Sequence, residues 1–148
     1  MKKPVGVWVC IVLLLFSACQ NRTGSHADGM VGAKSSIAVQ TSSDIVIDHI
    51  EVADSEVSFQ IQNLSETEFT YGYGFSIEAE VDGAWHVTNY DAPDCPAGEF
   101  ILSPGKTLDH VCQLFNDPPK GNYRVLIEVF PAENRSDSFY IAGEFTLD

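Results

Sequence analysis

The side chains with the most reactive chemistry are four cysteines, at positions 10, 19, 95 and 112, and four histidines, at positions 26, 49, 86 and 110. A cysteine can accept a lipid, form a disulfide or bind a metal, depending on its surroundings. Cys10 and Cys19 lie in or directly after an apolar N-terminal stretch, whereas Cys95 and Cys112 lie among the segments of the C-terminal half. The chemistry available to each cysteine therefore depends on the elements that hold it.

The first 18 residues have the pattern of a secretion signal. Lys2 and Lys3 precede an uncharged, largely apolar run of twelve residues, Val5 to Phe16. A membrane-spanning helix needs about 20 residues, so this run fits the apolar core of a signal peptide instead. The sequence Phe16-Ser17-Ala18-Cys19 resembles the bacterial lipobox, although leucine is commoner than phenylalanine at its first position. An ordinary signal peptide followed by a chance cysteine is the alternative.

The lipobox resemblance implies that residues 1–18 are removed and that the thiol of Cys19 accepts a diacylglyceryl group. The lipoprotein pathway adds more than one acyl chain, which is enough to anchor a protein stably. We therefore expect the protein to lie at a cell membrane, held by its lipid and facing the extracytoplasmic side. Cys10 lies in the removed segment and has no expected role in the mature chain.

Residues 19–43, which begin at the lipidated cysteine, have the composition of a flexible tether. Ten of the 24 residues from Gln20 to Ser43 are Gly, Ser or Thr, and none of them is aromatic. This composition is typical of a linker without a packed core. A first strand around Ser36 to Thr41 is the alternative.

From Asp44 to the C-terminus, hydrophobic residues recur with a period of two, which is typical of half-buried strands. Val57, Phe59 and Ile61 alternate with polar residues, and an irregularity near His49 interrupts an earlier run. Asp82-Gly83 is a two-residue hairpin signal, and Ser103-Pro104-Gly105-Lys106 has the composition of a tight turn. These segments predict an all-β fold over residues 44–148, an immunoglobulin-like antiparallel β-sandwich of seven to eight strands.

Four short motifs in this segment resemble those of a known family. They are Tyr71-Gly72-Tyr73-Gly74-Phe75-Ser76-Ile77-Glu78, Asp82-Gly83-Ala84-Trp85, Leu102-Ser103-Pro104-Gly105 and Lys120-Gly121-Asn122-Tyr123-Arg124-Val125. In this order they are similar to a bacterial immunoglobulin-like domain family of surface proteins and lipoproteins, over residues 45–148. The resemblance implies the same sandwich fold, and it supplies no catalytic residue.

Four residues of the predicted domain have expected structural roles: Gly83, Gly105, Gly121 and Tyr123. The tyrosine lies where an immunoglobulin-like sandwich has its tyrosine corner. We therefore expect its hydroxyl to bond a backbone group upstream, between Asn116 and Pro119.

The candidate partner surface consists of Tyr71, Tyr73 and Trp85. Within the aromatic-rich stretch Phe69-Thr70-Tyr71-Gly72-Tyr73, we expect at least one of the two tyrosines to face outward or line a groove. Trp85 follows the predicted hairpin, where an aromatic residue either packs at the sheet edge or anchors a partner. Ordinary edge packing is the alternative for all three.

Cys95 and Cys112 remain for a disulfide, which an exported protein can form. Closing this loop of about 18 residues would stabilise the fold by about 3 kcal/mol. Free thiols or a metal pair are the alternatives. His110 lies two residues from Cys112 on the same predicted face, but a zinc site needs more ligands at close range.

Composition excludes several function classes. The formal charge of −13 leaves no basic patch for a nucleic acid. No Ser-His-Asp order or glycine-rich phosphate loop occurs, so we do not expect an enzyme. Asp91, Asp94 and Glu99 lack the spacing of a calcium loop, so we expect neither a metal nor another cofactor.

The expected function is that of a lipid-anchored, extracytoplasmic module with a binding or structural role in the bacterial envelope. Its expected partners are the membrane, through the lipid, and a protein of the envelope. A protease inhibitor acting through an exposed loop at residues 91–98 is the alternative, because one rigid loop on a small sandwich is enough for that role.

Overall fold

A computed structural model describes residues 31–42, 44–91 and 97–148. The predicted signal peptide, Cys19 and Cys95 lie outside these residues. The described chain contains one short 3-10 turn, Arg135–Asp137, and no α-helix. Its strands are β1 (Val31–Lys34), β2 (Ile45–Ala53), β3 (Glu56–Asn63), β4 (Phe69–Gly72), β5 (Ser76–Val81), β6 (Ala84–Thr88), β7 (Glu99–Leu102), β8 (Thr107–Gln113), β9 (Gly121–Pro131) and β10 (Phe139–Leu147).

The strands form two antiparallel sheets. The larger has seven strands in the order β1-β6-β5-β9-β4-β7, with β10 on the other side of β9. The smaller has the order β2-β3-β8. The all-β class and the antiparallel sandwich are confirmed, with ten strands in the described residues instead of seven to eight. Part of the increase arises because the chain after Phe69 divides into β4 and β5, and both pair with β9.

The core lies between the two sheets and follows the predicted alternation. In the small sheet, Val57, Phe59 and Ile61 are fully buried, and their polar neighbours face solvent. In the large sheet, Val125 and Ile127 are the equivalent inward residues of β9. One buried hydrophobic face on each sheet accounts for the period of two in the sequence.

Two predicted turns are present. Asp82 and Gly83 both have positive φ, 51° and 74°, as a type I′ hairpin requires. They connect β5 to β6 through the pair Val81 and Ala84. In the second turn, the Lys106 amide donates to the Ser103 carbonyl at 3.1 Å, and Gly105 has a φ of 70°. Proline followed by a positive-φ glycine is the pattern of a type II turn.

The two sheets approach closely where β2 faces β10. A Cβ built on Gly143 would lie 2.6 Å from atoms of Ile47 and of Ile50. Both isoleucines face inward because His49, with a φ of 51°, forms a bulge between them in the β2–β3 ladder. The predicted irregularity at His49 is confirmed, and its effect is to turn a second isoleucine toward Gly143.

The tether prediction was wrong for residues 31–42, which contact the domain. β1 pairs with β6, and the next amide, that of Ser35, donates to the Trp85 carbonyl at 2.8 Å. Four residues later, Val39 forms a parallel bridge with Tyr140 on β10. Because β5 and β9 lie between β6 and β10, residues 35–42, here called the strap, cross the outer face of the large sheet. The alternative of an early strand near Ser36 to Thr41 is closer to the structure.

We predict that Gly143→Ala lowers the free energy of unfolding by about 1–3 kcal/mol, the usual cost of overpacking. The added methyl group meets two isoleucine side chains that are held between the sheets. Gly74→Ala is the matched control, since a Cβ there has no neighbour within 4 Å, and its effect should stay within about 0.5 kcal/mol. Urea unfolding curves measure both, and equal losses for the two variants would contradict the close approach.

Candidate functional site

The outer face of the large sheet carries a buried ion pair. Glu78 on β5 lies directly opposite Arg124 on β9 in the ladder. The Nε and Nη2 atoms of Arg124 donate to Glu78 Oε2 at 2.8 and 2.6 Å. The two residues are only 1% and 7% exposed, although their strand positions alternate away from the core. Leu126, also on this face, is 1% exposed.

The strap accounts for this burial, because it crosses the face on which these residues lie. Val39–Ser42 and Arg124 line the same cleft beside β10. Burying a charged pair is tolerated when its hydrogen bonds are made and water is kept out. Sequence reasoning missed this arrangement, since Glu and Arg at outward positions of strands normally face solvent.

Trp85 packs against the ion pair of Glu78 and Arg124. The guanidinium carbon of Arg124 lies 4.7 Å from the centre of the Trp85 ring, within the range of a cation–π contact. The side chain is half-buried at the sheet edge. One face of the ring is therefore occupied within the domain.

The free edge of β10 lies beside the strap. The Gln40 amide donates to the Tyr140 carbonyl at 2.8 Å, so the backbone groups of Tyr140 point away from β9. Backbone groups alternate in direction along a strand. Those of Ala142, Glu144 and Thr146 therefore point to the same free edge, beyond the single bridge that the strap makes.

Two clefts run along this edge and share lining residues. One, of about 380 Å³, lies between the strap, the start of β2 and β10. The other, of about 510 Å³, lies between Ile47–Ile50 and Ala142–Glu144. Both are lined by Ile47, Ala142 and Glu144, so we treat them as one groove, the β10 groove.

Tyr71 is not a surface residue, and its prediction as part of a partner surface was wrong. It is fully buried on β4, and its hydroxyl lies 2.7 Å from Nε2 of His110 on β8. The pairing of β4 with both β7 and β9 places the ring inside the sandwich. Burial raises the pKa of the Tyr71 hydroxyl and lowers the pKa of His110, with the nearby Asp109 opposing the second shift.

Tyr73 is exposed, as predicted for at least one of the two tyrosines. It is 40% exposed, and the centre of its ring lies 4.3 Å from the centre of the Phe100 ring. A Cβ on Gly98 would lie 2.0 Å from the ring, so glycine is required beneath it. The tyrosine is thus fixed from one side and open on the other.

Cys112 lies on β8, faces inward and is 7% exposed. Its predicted disulfide partner lies outside the described residues, so the pairing stays a prediction. The chain does approach β8 before residue 92, since the Phe115 amide donates to the Tyr90 carbonyl at 2.7 Å. Because Cys112 is buried, its resistance to alkylation in the native protein would not by itself reveal a disulfide.

The tyrosine corner is confirmed. The Tyr123 hydroxyl donates to the Pro119 carbonyl at 2.5 Å, within the predicted upstream segment. Burial, with a smaller contribution from Tyr90, raises the pKa of Tyr123 to about 12. Gly121, with a φ of 156°, begins β9 just before this corner. The hydroxyl of Tyr90 is itself buried without a hydrogen-bond partner among the described residues.

The predicted inhibitor loop is described only at its ends. Burial raises the pKa of Asp91, whereas Glu99 pairs with Arg135.

Among residues 31–42, 44–91 and 97–148, no group of three His, Cys, Asp or Glu side chains is placed to hold a metal ion. The His110 ring packs against that of Phe100, and its Nε2 contacts the Tyr71 hydroxyl.

Comparison with known sequences identifies the family. Residues 38–146 match the bacterial Ig-like domain family. The chain belongs to this family. The match begins within the strap and ends on β10, so it includes the second part of the strap and the strands from β2 to β10. No curated protein matches this chain.

Two solved structures are similar to this chain at low sequence identity. The archaellum periplasmic stator protein FlaG from Sulfolobus acidocaldarius is 18% identical, with a TM-score of 0.42, over 68% of this chain and 97% of that one. The stator protein complex FlaF and FlaG from the same organism is 18% identical, with a TM-score of 0.44, over 75% of this chain and 99% of that one. In the described part of the Ig-like chain, no helix is long and apolar enough to cross a membrane.

We predict that the domain loses stability as the pH falls below about 6.5, the ordinary pKa of histidine. His110 is buried, its folded-state pKa is lowered, and the unfolded chain therefore takes up a proton first. The loss should reach up to about 1 kcal/mol per pH unit until the folded pKa is passed.

Urea unfolding between about pH 7.5 and 5.5 measures this dependence. His110→Gln should remove it, since an amide can meet the Tyr71 hydroxyl without titrating. His49→Gln is the matched control, because the His49 side chain is 68% exposed, and it should keep the wild-type decline. A decline of equal size in His110→Gln would contradict the prediction.

Proposed function

We propose that this protein is a lipid-anchored Ig-like module on the extracytoplasmic side of a bacterial membrane, where it binds another envelope component and catalyses no reaction. The observation that carries the proposal is the order of two features along one chain. A lipobox-like Phe16-Ser17-Ala18-Cys19 follows an apolar run, and the match to the bacterial Ig-like domain family begins about 20 residues later.

The proposed arrangement limits how far the domain can stand from the membrane. Eleven residues, 20–30, separate Cys19 from the start of β1. Even when fully extended, they span at most about 40 Å. This is a shorter connection than the 24-residue tether that composition suggests, because the strap is part of the domain.

Charge supports a domain that stands off the lipid surface. Removal of residues 1–18 leaves six basic residues against 21 acidic ones, a formal charge of −15. An anionic membrane repels such a domain, so attachment would depend on the acyl chains. A partner surface on the domain is then free to meet a protein in the envelope.

Support for a binding role comes from the family and from the surface. Ig-like sandwiches hold a rigid framework, and function is carried by sites placed on it. The described surface offers Tyr73 on one side of the sandwich and the β10 groove on another. The two cysteines at 95 and 112 are proposed to form a disulfide that holds the intervening loop to β8.

The anchor is tested by metabolic labelling with a fatty-acid probe. We predict that Cys19→Ala abolishes labelling, because the acceptor thiol is lost, and that the chain then leaves the membrane fraction. Cys10→Ala is the matched control, since this cysteine lies in the segment that is removed, and it should label normally. Labelling of Cys19→Ala at the wild-type level would contradict the proposal.

A further inference from the structure

We propose that the β10 groove binds an extended, basic peptide segment of a partner protein, which pairs with the free edge of β10 as an added strand. This inference deepens the proposed function, because it rests on a binding role and names the surface and the kind of partner. Strand addition to an exposed edge combines backbone hydrogen bonds with side-chain contacts at every second residue.

The first argument is that the edge already pairs with another segment of backbone through one β-bridge. The strap pairs with β10 in parallel at Val39 and Tyr140, and the Gln40 amide completes the bond to the Tyr140 carbonyl. Beyond this bridge, the chain leaves the edge and enters β2 at Ile45. The same backbone chemistry therefore continues, unpaired by the strap, from Ala142 to Thr146.

The second argument is the shape beside this edge. Gly143 packs directly on Ile47 and Ile50, so the inner side of the groove is closed by half-buried apolar side chains. The outer side is open to solvent, where Glu144 and Thr146 are exposed. A strand added here would place alternate side chains against the isoleucines and in solvent.

The third argument is charge. The open rim of the groove carries Asp48 and Glu144, and the described residues that line it include His49 but neither lysine nor an unpaired arginine. Arg124, which lines it, is paired with Glu78. With a formal charge of −13 on the whole chain, a second copy of this protein is repelled, and a basic segment is attracted. A peptide in which apolar and basic residues alternate would contact both the apolar inner side of the groove and its acidic rim.

The test uses the full chain and a synthetic peptide of about eight residues in which lysine and valine alternate. We expect the peptide to bind, to bind more weakly at high salt, and to protect the amides of Ala142, Glu144 and Thr146 from hydrogen exchange. The same peptide with glutamate in place of lysine should not bind.

Ala142→Pro removes one donor from the free edge and leaves the β9 ladder intact, since proline is tolerated where the amide faces solvent. We expect peptide binding to be about tenfold weaker, as the loss of one hydrogen bond implies. Val111→Pro is the matched control on β8. The bonds from Asn63 to Lys106 and from Leu114 to Ser55 place the Val111 amide on the free edge of that strand.

Several results would overturn the inference. These are absence of peptide binding, equal binding to the Ala142→Pro and Val111→Pro variants, equal binding of the acidic peptide, or exchange protection elsewhere in the domain. If Ala142→Pro does not fold, the protection pattern of the wild-type chain decides alone. An envelope protein that binds the wild-type and Ala142→Pro chains equally would leave the proposed binding role in place and remove this groove as its site.

Discussion

The buried pair of Arg124 and Glu78 sets the constraint on which the rest of this domain depends. Two charges on the outer face of a sheet normally stay in water, and enclosing them is costly unless they are paired and covered. Here two nitrogens of Arg124 donate to Glu78 Oε2, Trp85 lies over the guanidinium, and the strap crosses above. The strap therefore forms a third layer over the large sheet, and the domain begins at β1 instead of at residue 44.

This third layer also determines which edges of the sandwich remain open. The strap occupies β10 only at Tyr140 before it enters β2, and the approach of β2 to Gly143 closes the inner side of the remaining edge. A groove with an apolar floor and an acidic rim results. The path of the strap thus connects the domain boundary, the short distance to the proposed anchor and the proposed binding surface.

Much of the fold could be predicted from the sequence, because it depends on local signals. The period of two located most strands, Asp82-Gly83 and Pro104-Gly105 located two turns, and Gly121-Asn122-Tyr123 located the tyrosine corner. The strap could not be predicted, since a polar, glycine-rich segment that bonds through its backbone has the composition of a linker. The opposite environments of Tyr71 and Tyr73, and the pairing of Glu78 with Arg124, depend on which strands become neighbours, and composition does not specify that.

The central claim is that residues 31–42 are part of the folded domain, and one comparison tests it directly. Chains of residues 31–148 and 44–148 each contain Trp85 as their single tryptophan, so its fluorescence follows urea unfolding of both. We expect the shorter chain to unfold at a clearly lower urea concentration, with red-shifted native emission, because Trp85 and the ion pair lose their cover. Identical midpoints and identical native emission in the two chains would contradict the claim.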